Sequence, residues 1–115
     1  ELSKRIMTYL RDEKPYLQPD FSIHDISIKF NRPLHHIYYC FGNVINKNFS
    51  EVKNELRVQH AIDLLSSNEV DTISLEGIGK KAGFQSNSNF YVCFRKNTGK
   101  TPKEWLEENE IKYTR

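Results

Sequence analysis

The 115-residue sequence contains only two cysteines and has no long run of apolar residues. Cys40 and Cys93 are far apart and show no metal-ligand spacing, which argues against a disulfide scaffold and against a zinc ribbon. No segment approaches the roughly 18 apolar residues that cross a bilayer, and the first residues lack the features of a secretory signal. We therefore expect a protein of the reducing cytoplasm.

Glycine and proline are also scarce, with five and four residues, and strand-like alternation of apolar and polar residues is absent. Apolar residues instead recur at spacings of three and four, which is the period of an α-helix. A chain of this length holds one core, or two very small lobes that share a helix. The pattern predicts an all-α fold.

The net charge of +2 and the isoelectric point near 8.6 are only weak indications of an anionic partner. The distribution of charge is more informative, because six cations between Ser74 and Lys103 accompany a single acid, Glu76. The cations of this basic segment are Lys80, Lys81, Arg95, Lys96, Lys100 and Lys103. Such a cluster is typical of a surface that contacts nucleic acid.

Capping residues mark the starts of two short helices. Ser22, with Asp25 three residues later, predicts a helix that ends near Phe30. Ser74 predicts the second short helix, and Gly83 after it suits a tight turn with a left-handed backbone.

Four further helices follow from periodicity and from proline positions. An apolar stripe over residues 2–10 predicts the first, and Pro33 opens another that continues to Ile45. A long helix over about residues 50–66 is the predicted centre of the fold. The last helix opens at Thr101, which can cap it, because Pro102 suits the first helical position and Glu104 lies where a capping-box carboxylate belongs.

An internal repeat relates the two halves of the chain. The segment IYYCFGN at 37–43 aligns with FYVCFRK at 90–96, an offset of 53 residues. Upstream, Ser22 aligns with Ser74 at an offset of 52, so the second turn is one residue longer. Each half therefore contains a short helix, a turn and a second helix, which are the parts of a helix-turn-helix motif.

The second helix of the later copy has one apolar and one polar face. Phe90, Cys93 and Phe94 are predicted to face the core. The residues predicted to project outward are Asn87, Ser88, Tyr91 and Arg95. Short amides and hydroxyls in the first turn suit the base edges of a major groove. A central helix of about 25 Å plus roughly one helix diameter would separate the two outward helices by about 34 Å, one turn of duplex.

Together these motifs resemble the DNA-binding domain of the AraC/XylS family of bacterial transcription regulators over about residues 22–109. The most specific part is IGKKAGFQSNSNFYVCFRKNTGKTPKEW, which is similar to the second helix-turn-helix of that family, and RVQHAIDLL is similar to its linker helix. The resemblance implies one DNA-binding domain with seven helices in two lobes. Lobe one spans about 1–48, the linker helix about 50–66 and lobe two about 72–110.

The sequence departs from the family pattern at three places. Tyr91 and Val92 stand where the family usually has a small polar residue followed by Arg, so an Arg contact is not carried over to Val92. Small residues Ser27 and Gly79 should let the paired helices of each copy approach closely, but Gly79 replaces a usual Ala, which should cost its short helix up to about 1 kcal/mol. In the first copy, residues 33–36 are an unusual start for a reading helix, and residues 42–43 replace the usual cations.

We expect each candidate contact to have one of two roles. The predicted base-reading residues are His35, Tyr38, Tyr39, Asn87, Ser88 and Tyr91. The predicted phosphate contacts are Lys80, Lys81, Arg95, Lys96, Lys100 and backbone N–H groups at the helix starts near Ser50 and Thr101. No nucleophile elbow, phosphate loop or Ser-His-Asp order occurs, so we expect neither catalysis nor a metal or cofactor.

The implied partners are double-stranded promoter or operator DNA and RNA polymerase. Because the sequence does not begin with Met, we expect a fragment of a longer regulator whose sensory or dimerisation domain is missing. The expected location is the bacterial cytoplasm, at the nucleoid, and a membrane tether in the longer protein is left open. The competing hypothesis is a protein-interaction adaptor that uses the same outward helix faces, which would lack steep salt dependence in duplex binding.

Overall fold

A computed structural model of the chain describes residues 1–67 and 74–109. These residues form seven α-helices and no strand, which confirms the predicted all-α fold. The helices are α1 (Leu2–Glu13), α2 (Ile23–Phe30), α3 (Leu34–Tyr39), α4 (Phe49–Leu65), α5 (Leu75–Lys81), α6 (Asn87–Thr98) and α7 (Pro102–Glu108). Within the described ranges, no helix combines the length and the apolar character that a bilayer crossing requires.

The chain divides into two compact units, and the boundary between them falls inside α4. Unit one comprises Glu1–Leu56 and unit two comprises Arg57–Arg115. The predicted limits of lobe two, at residues 72 and 110, lie outside the described residues. The division of the chain into one domain with two lobes and a linker helix stays a prediction.

Unit one is built around an apolar cluster to which every one of its helices contributes. Ile6 and Leu10 lie one turn apart on α1, and both are buried, as the first apolar stripe predicted. The other buried members of the cluster are Tyr16, Phe21, Ile23, Ile26, Ile37, Cys40, Phe41 and Val52. Leu56 packs against this cluster from the last turn of α4 that belongs to the unit.

Unit two has its own cluster, in which Phe90 and Phe94 of α6 are completely buried. Their rings meet edge to face, with centroids 5.8 Å apart. The remaining buried members are Val58, Ala61, Leu65, Ile78, Ala82, Phe84 and Cys93. Trp105 and Leu106 of α7 pack against the cluster and are partly buried.

Arg57 is a charged residue that the fold buries inside unit two, with only 4% of its surface exposed. Its guanidinium carbon lies 5.9 Å from the centre of the Phe84 ring, a cation–π contact. Burial lowers the pKa of Arg57 from its ordinary value, because a low-dielectric surrounding disfavours the charged form, and the Cys93 thiol opposes this shift. Arg57 is therefore a packing residue of unit two and not a surface cation.

The helix predicted from Pro33 to Ile45 is not a single α-helix. Pro33 is the N-cap of α3, and the chain then changes at Cys40–Ile45 into a π-helical segment, the wider helix with i to i+5 hydrogen bonds. The Asn46 N–H donates to the carbonyl of Phe41 at its end. The segment contains Gly42 and Asn43, two weak α-helix formers, and it still buries Cys40 and Phe41.

Candidate nucleic-acid interface

The predicted repeat is present in the backbone of both units, beginning with the N-caps of α2 and α5, the first helices of the two helix-turn-helix motifs. Ser22 and Asp25 form the predicted reciprocal capping box at the start of α2, where the Ser22 N–H donates to Asp25 Oδ2 at 2.8 Å. At the start of α5, Ser74 Oγ accepts from the Gly77 N–H at 3.1 Å. Both α2 and α5 therefore begin at the serine that the sequence predicted.

The turns after these helices also match. Asn31 and Gly83, 52 residues apart, both have left-handed backbone, with φ of 53° and 101°. One residue later, the Arg32 N–H donates to the Ser27 carbonyl at 3.1 Å, and the Phe84 N–H donates to the Gly79 carbonyl at 3.0 Å.

The extra residue of the second turn lies just beyond this match. Pro33 and Ser86 are the N-caps of the two second helices and are 53 residues apart. Since Arg32 and Phe84 still align at 52, the additional residue is Gln85.

The segments that follow the second helices repeat in finer detail than the sequence alignment predicted. Asn46 and Gly99, 53 residues apart, are again left-handed, with φ of 66° and 82°. Asn48 and Glu51 form a capping box at the start of α4, and Thr101 and Glu104 form the same box at the start of α7. The four donor–acceptor distances in these boxes lie between 2.8 and 3.1 Å.

An ion pair is also repeated at the same offset. Lys47 Nζ lies 3.0 Å from both carboxylate oxygens of Glu55, and Lys100 Nζ contacts Glu108 Oε1. Each pair joins the lysine just before a capping box to a glutamate two turns into the next helix. The two units therefore share a built-in lysine–carboxylate contact beside a helix start.

The close approach of α5 and α6 depends on Gly79, as its small size predicted. A Cβ atom added to Gly79 would lie 2.6 Å from Cδ2 and 2.7 Å from Cγ of Phe90. Carbon atoms in ordinary contact are about 3.5–4.0 Å apart, so a side chain at this position would force α5 or the Phe90 ring to shift.

In unit two, α6 presents the polar first turn that base reading requires. Phe90, Cys93 and Phe94 are buried as predicted, and Asn87 and Ser88 are exposed. Ser86 caps this turn by accepting from the Asn89 N–H at 3.1 Å.

Tyr91 does not project freely outward from α6, which corrects the predicted orientation. It is half-buried, packs against the core of unit two and meets the Phe90 ring edge to face at 5.7 Å.

In unit one, α3 places the predicted base-reading residues on the surface. His35 is exposed, and its ring stands edge to face with that of His36, with centroids 4.5 Å apart. Tyr38 and Tyr39 are 58% and 60% exposed. The outward face of α3 in unit one is therefore aromatic, whereas the corresponding face of α6 in unit two is polar and cationic.

The cations predicted to contact phosphate differ in exposure, and one of them forms an ion pair. Lys80 and Lys81 on α5, and Arg95 and Lys96 on α6, have exposed side chains. Lys100 instead contacts Glu108.

The two helix starts predicted to bind phosphate differ in the donors that they leave open. The Thr101 N–H donates to Glu104, so the donor left in the first turn of α7 is the Lys103 N–H. In α4 the capping box uses the N–H groups of Asn48 and Glu51, which leaves the Phe49 and Ser50 N–H groups at the helix end.

Sequence reasoning missed two features of this surface. The N-cap of α4 is Asn48, although the same Asn/Thr-x-x-Glu spacing occurs 53 residues later and was recognised there. Val92 is 64% exposed on α6, and the phase of the buried residues around it was the signal for this exposure.

The cysteines take no part in this surface. Cys40 and Cys93 are buried at equivalent places in the two cores and form no disulfide. Over residues 1–67 and 74–109, no group of three or more His, Cys, Asp or Glu side chains is placed to hold a metal ion.

Residues 20–108 match a family described as "Helix-turn-helix domain". Over 76 residues the chain is 33% identical to the lactose operon transcription activator of Staphylococcus xylosus. The aligned residues cover 64% of this chain and 26% of the relative. The chain thus spans about a quarter of that relative's length.

Solved structures share the fold at lower identity. The C-terminal domain of AraT, a response regulator from Geobacillus stearothermophilus, has a TM-score of 0.80 at 18% identity, covering 93% of this chain and 84% of that one. A DNA-binding transcriptional dual regulator from Escherichia coli K-12 has a TM-score of 0.76 at 19% identity, covering 94% and 97%. The family match extends over most of the chain, and both units carry the motif, so the chain belongs to the AraC-type helix-turn-helix family, the DNA-binding domains of transcription regulators.

Proposed function

We propose that the chain is a sequence-specific duplex-binding domain of a bacterial transcription regulator, with α3 and α6 entering two successive major grooves. The observation that supports it most strongly is the duplicated motif, with a serine N-cap on α2 and on α5 and with equivalent left-handed residues and buried positions in both units. In a helix-turn-helix, the second helix is the one that reads the major groove.

In unit two, Asn87 and Ser88 read base edges from the first turn of α6. Both are short, exposed and able to donate and accept hydrogen bonds, as base reading requires. Tyr91 contributes an edge of its half-buried ring beside them. Arg95 and Lys96 follow on the same helix and bind phosphates at the groove margin.

In unit one, reading is less conventional and uses His35, Tyr38 and Tyr39. An imidazole can donate and accept, and exposed tyrosines combine an apolar ring with a hydroxyl. The segment after them carries Gly42 and Asn43, so unit one brings few cations to the groove. Sequence preference in this half therefore comes from aromatic and imidazole contacts.

Register on the DNA is set by phosphate contacts outside the reading helices. Lys80 and Lys81 lie on α5, the helix that crosses the backbone in this motif. The N–H groups at the helix starts near Ser50 and Thr101 favour anions. Lys100 contributes only when a phosphate replaces Glu108 as its partner.

The proposed wider context is that of a bacterial regulator. The name of the Staphylococcus xylosus relative describes an activator of an operon, and this chain covers a quarter of it. We propose that the chain acts in the cytoplasm, at the nucleoid, together with a sensory or dimerisation domain, and that it contacts RNA polymerase. No catalytic role is proposed, because the family is a class of DNA-binding domains.

The alternative, a protein-interaction adaptor, is favoured by one observation in unit one. Tyr38 and Tyr39, together with the half-exposed Val44, give this unit an aromatic and apolar surface. Binding to mixed-sequence duplex at low and high salt separates the two hypotheses. A DNA reader loses affinity steeply with salt, whereas an adaptor binds duplex weakly at both concentrations.

Matched variants test the division of roles within unit two by fluorescence anisotropy. Asn87→Ala should weaken binding to the preferred duplex by about 1–3 kcal/mol and leave unrelated duplexes nearly unaffected. Lys96→Ala should weaken all duplexes alike and reduce the salt slope by about 1. Asn97→Ala is the control, because its amide donates to the Cys93 carbonyl at 2.8 Å. Equal losses on preferred and unrelated duplexes for Asn87→Ala would contradict the assigned reading role.

A further inference from the structure

Val92 occupies the middle of the outward face of α6, although it is a branched apolar residue with 64% of its surface exposed. Successive helical residues are separated by about 100°, so Val92 lies about 40° from Ser88 and about 60° from Arg95. The buried residues Phe90 and Phe94 lie on the opposite side. An apolar group thus stands beside a hydroxyl and a guanidinium on the face that the proposed function directs at DNA.

Local stability does not account for this valine. It is absent from the apolar cluster of unit two and from the partly buried residues that pack against it. Valine is also a weaker helix former than alanine or the long polar residues. A single exposed apolar residue needs no explanation by itself, so a second observation is required.

The repeat supplies that observation. Tyr39 lies 53 residues before Val92 at the equivalent position of unit one, and it is 60% exposed. The flanking equivalents differ in chemistry, with His35 in place of Ser88 and Gly42 in place of Arg95. Apolar surface is therefore kept at this one outward position in both units while its neighbours change.

The chemistry of the major groove offers one complementary group to such a residue. Thymine carries a C5-methyl group on its major-groove edge, and the other three bases present no such apolar group there. Small apolar side chains contact this methyl group. The nearby cations Arg95 and Lys96 match the surrounding phosphates in charge. We propose that Val92 is a specificity-determining residue that contacts a thymine methyl in the half-site read by α6. This inference rests on the proposed function of α6 as a reading helix.

The test uses the 115-residue chain and a preferred duplex selected from a random library. Each thymine is replaced singly by deoxyuridine, which removes only the methyl group. One such replacement should lower the affinity of the unaltered protein for the duplex about three- to fivefold, the value expected for one buried methyl group. Val92→Ala should weaken binding to the thymine duplex by a similar factor and should be insensitive to that same replacement.

Val44→Ala is the matched control, because Val44 is a half-exposed valine in the π-helical segment of unit one. It should keep the full response to deoxyuridine at that position. Circular dichroism and Trp105 fluorescence check that each variant is folded.

The outcomes separate this inference from the proposed function. The inference is overturned when a preferred duplex exists and Val92→Ala weakens its thymine and uracil forms equally, or when no thymine methyl affects affinity. A selection that yields no preferred duplex contradicts the proposed function itself, and the role of Val92 then falls with it.

Discussion

Replacing Gly79 by alanine tests the packing of unit two directly, because propensity and packing predict opposite results. Alanine is the better helix former by about 1 kcal/mol, so propensity alone predicts a more stable α5. The added Cβ would, however, lie 2.6 Å from Cδ2, 2.7 Å from Cγ and 3.1 Å from Cβ of Phe90. We expect Gly79→Ala to destabilise unit two.

The magnitude follows from the size of the overlap. Carbon atoms in contact lie about 3.5–4.0 Å apart, so α5 and the Phe90 ring must separate by about 1 Å. The atoms concerned are at the base of a fully buried ring, which cannot rotate away as the end of a long side chain can. Overpacking of this kind costs about 1–3 kcal/mol, which leaves a net loss of about 1 kcal/mol after the gain in propensity.

The sole tryptophan provides a readout for unit two alone. Trp105 packs against the core of unit two and is partly buried, so its fluorescence in urea follows the unfolding of this unit. Gly42→Ala is the control, followed by circular dichroism, because a Cβ at Gly42 would meet no atom within 4 Å. It should stabilise the protein by up to about 1 kcal/mol.

A double-mutant cycle assigns the loss to the ring. A Phe90→Ala background lacks the Cγ and Cδ2 atoms and leaves only the 3.1 Å contact with Cβ, so Gly79→Ala should become neutral or stabilising there. A Gly79→Ala variant that gains stability as the Gly42 variant does would refute the reasoning, since the close approach of α5 and α6 would then not constrain residue 79.

Three further predictions concern charge and capping. Glu108→Gln should strengthen binding to every duplex about two- to fivefold, because it releases Lys100 to bind phosphate. Glu107→Gln removes the same charge without that contact and should have a smaller effect. Equal effects would contradict competition between Glu108 and phosphate for Lys100. Thr101→Ala should lower the free energy of unfolding by about 1 kcal/mol in urea titrations, and Thr101→Ser should restore it. Burial, with Glu13 and Asp25 nearby, raises the pKa of Tyr9 above its ordinary value of 10.0. Because the folded state holds this proton more tightly, stability should fall as pH rises past about 10, and Tyr9→Phe should remove that part of the fall.

Features that depend on neighbouring residues in the chain could be predicted from the sequence. The boxes of Ser22 with Asp25 and of Thr101 with Glu104 need only two residues three apart, so spacing is sufficient to find them. The buried positions of Phe90 and Phe94 follow from helical phase. The small size of Gly79 predicted a close approach of two helices, but the sequence could not show that the Phe90 ring packs against it.

Features that depend on packing or on competing partners could not be predicted in this way. The half-burial of Tyr91 results from its contact with Phe90, and the occupation of Lys100 results from Glu108 on the next helix. The π-helical turn at Cys40–Ile45 is another case, because an i to i+5 ladder has no periodic signature over six residues. The base-reading and phosphate-binding roles themselves stay predictions until DNA binding is measured.

The equivalence of the left-handed residues has a practical consequence for protein engineering. Asn31 with Gly83, and Asn46 with Gly99, mark matched splice points that bracket each second helix. The two segments between these residues therefore begin and end with the same backbone conformation and differ in length by one residue, Gln85. Chimeras that carry the same second helix in both units would test whether these helices set a target preference.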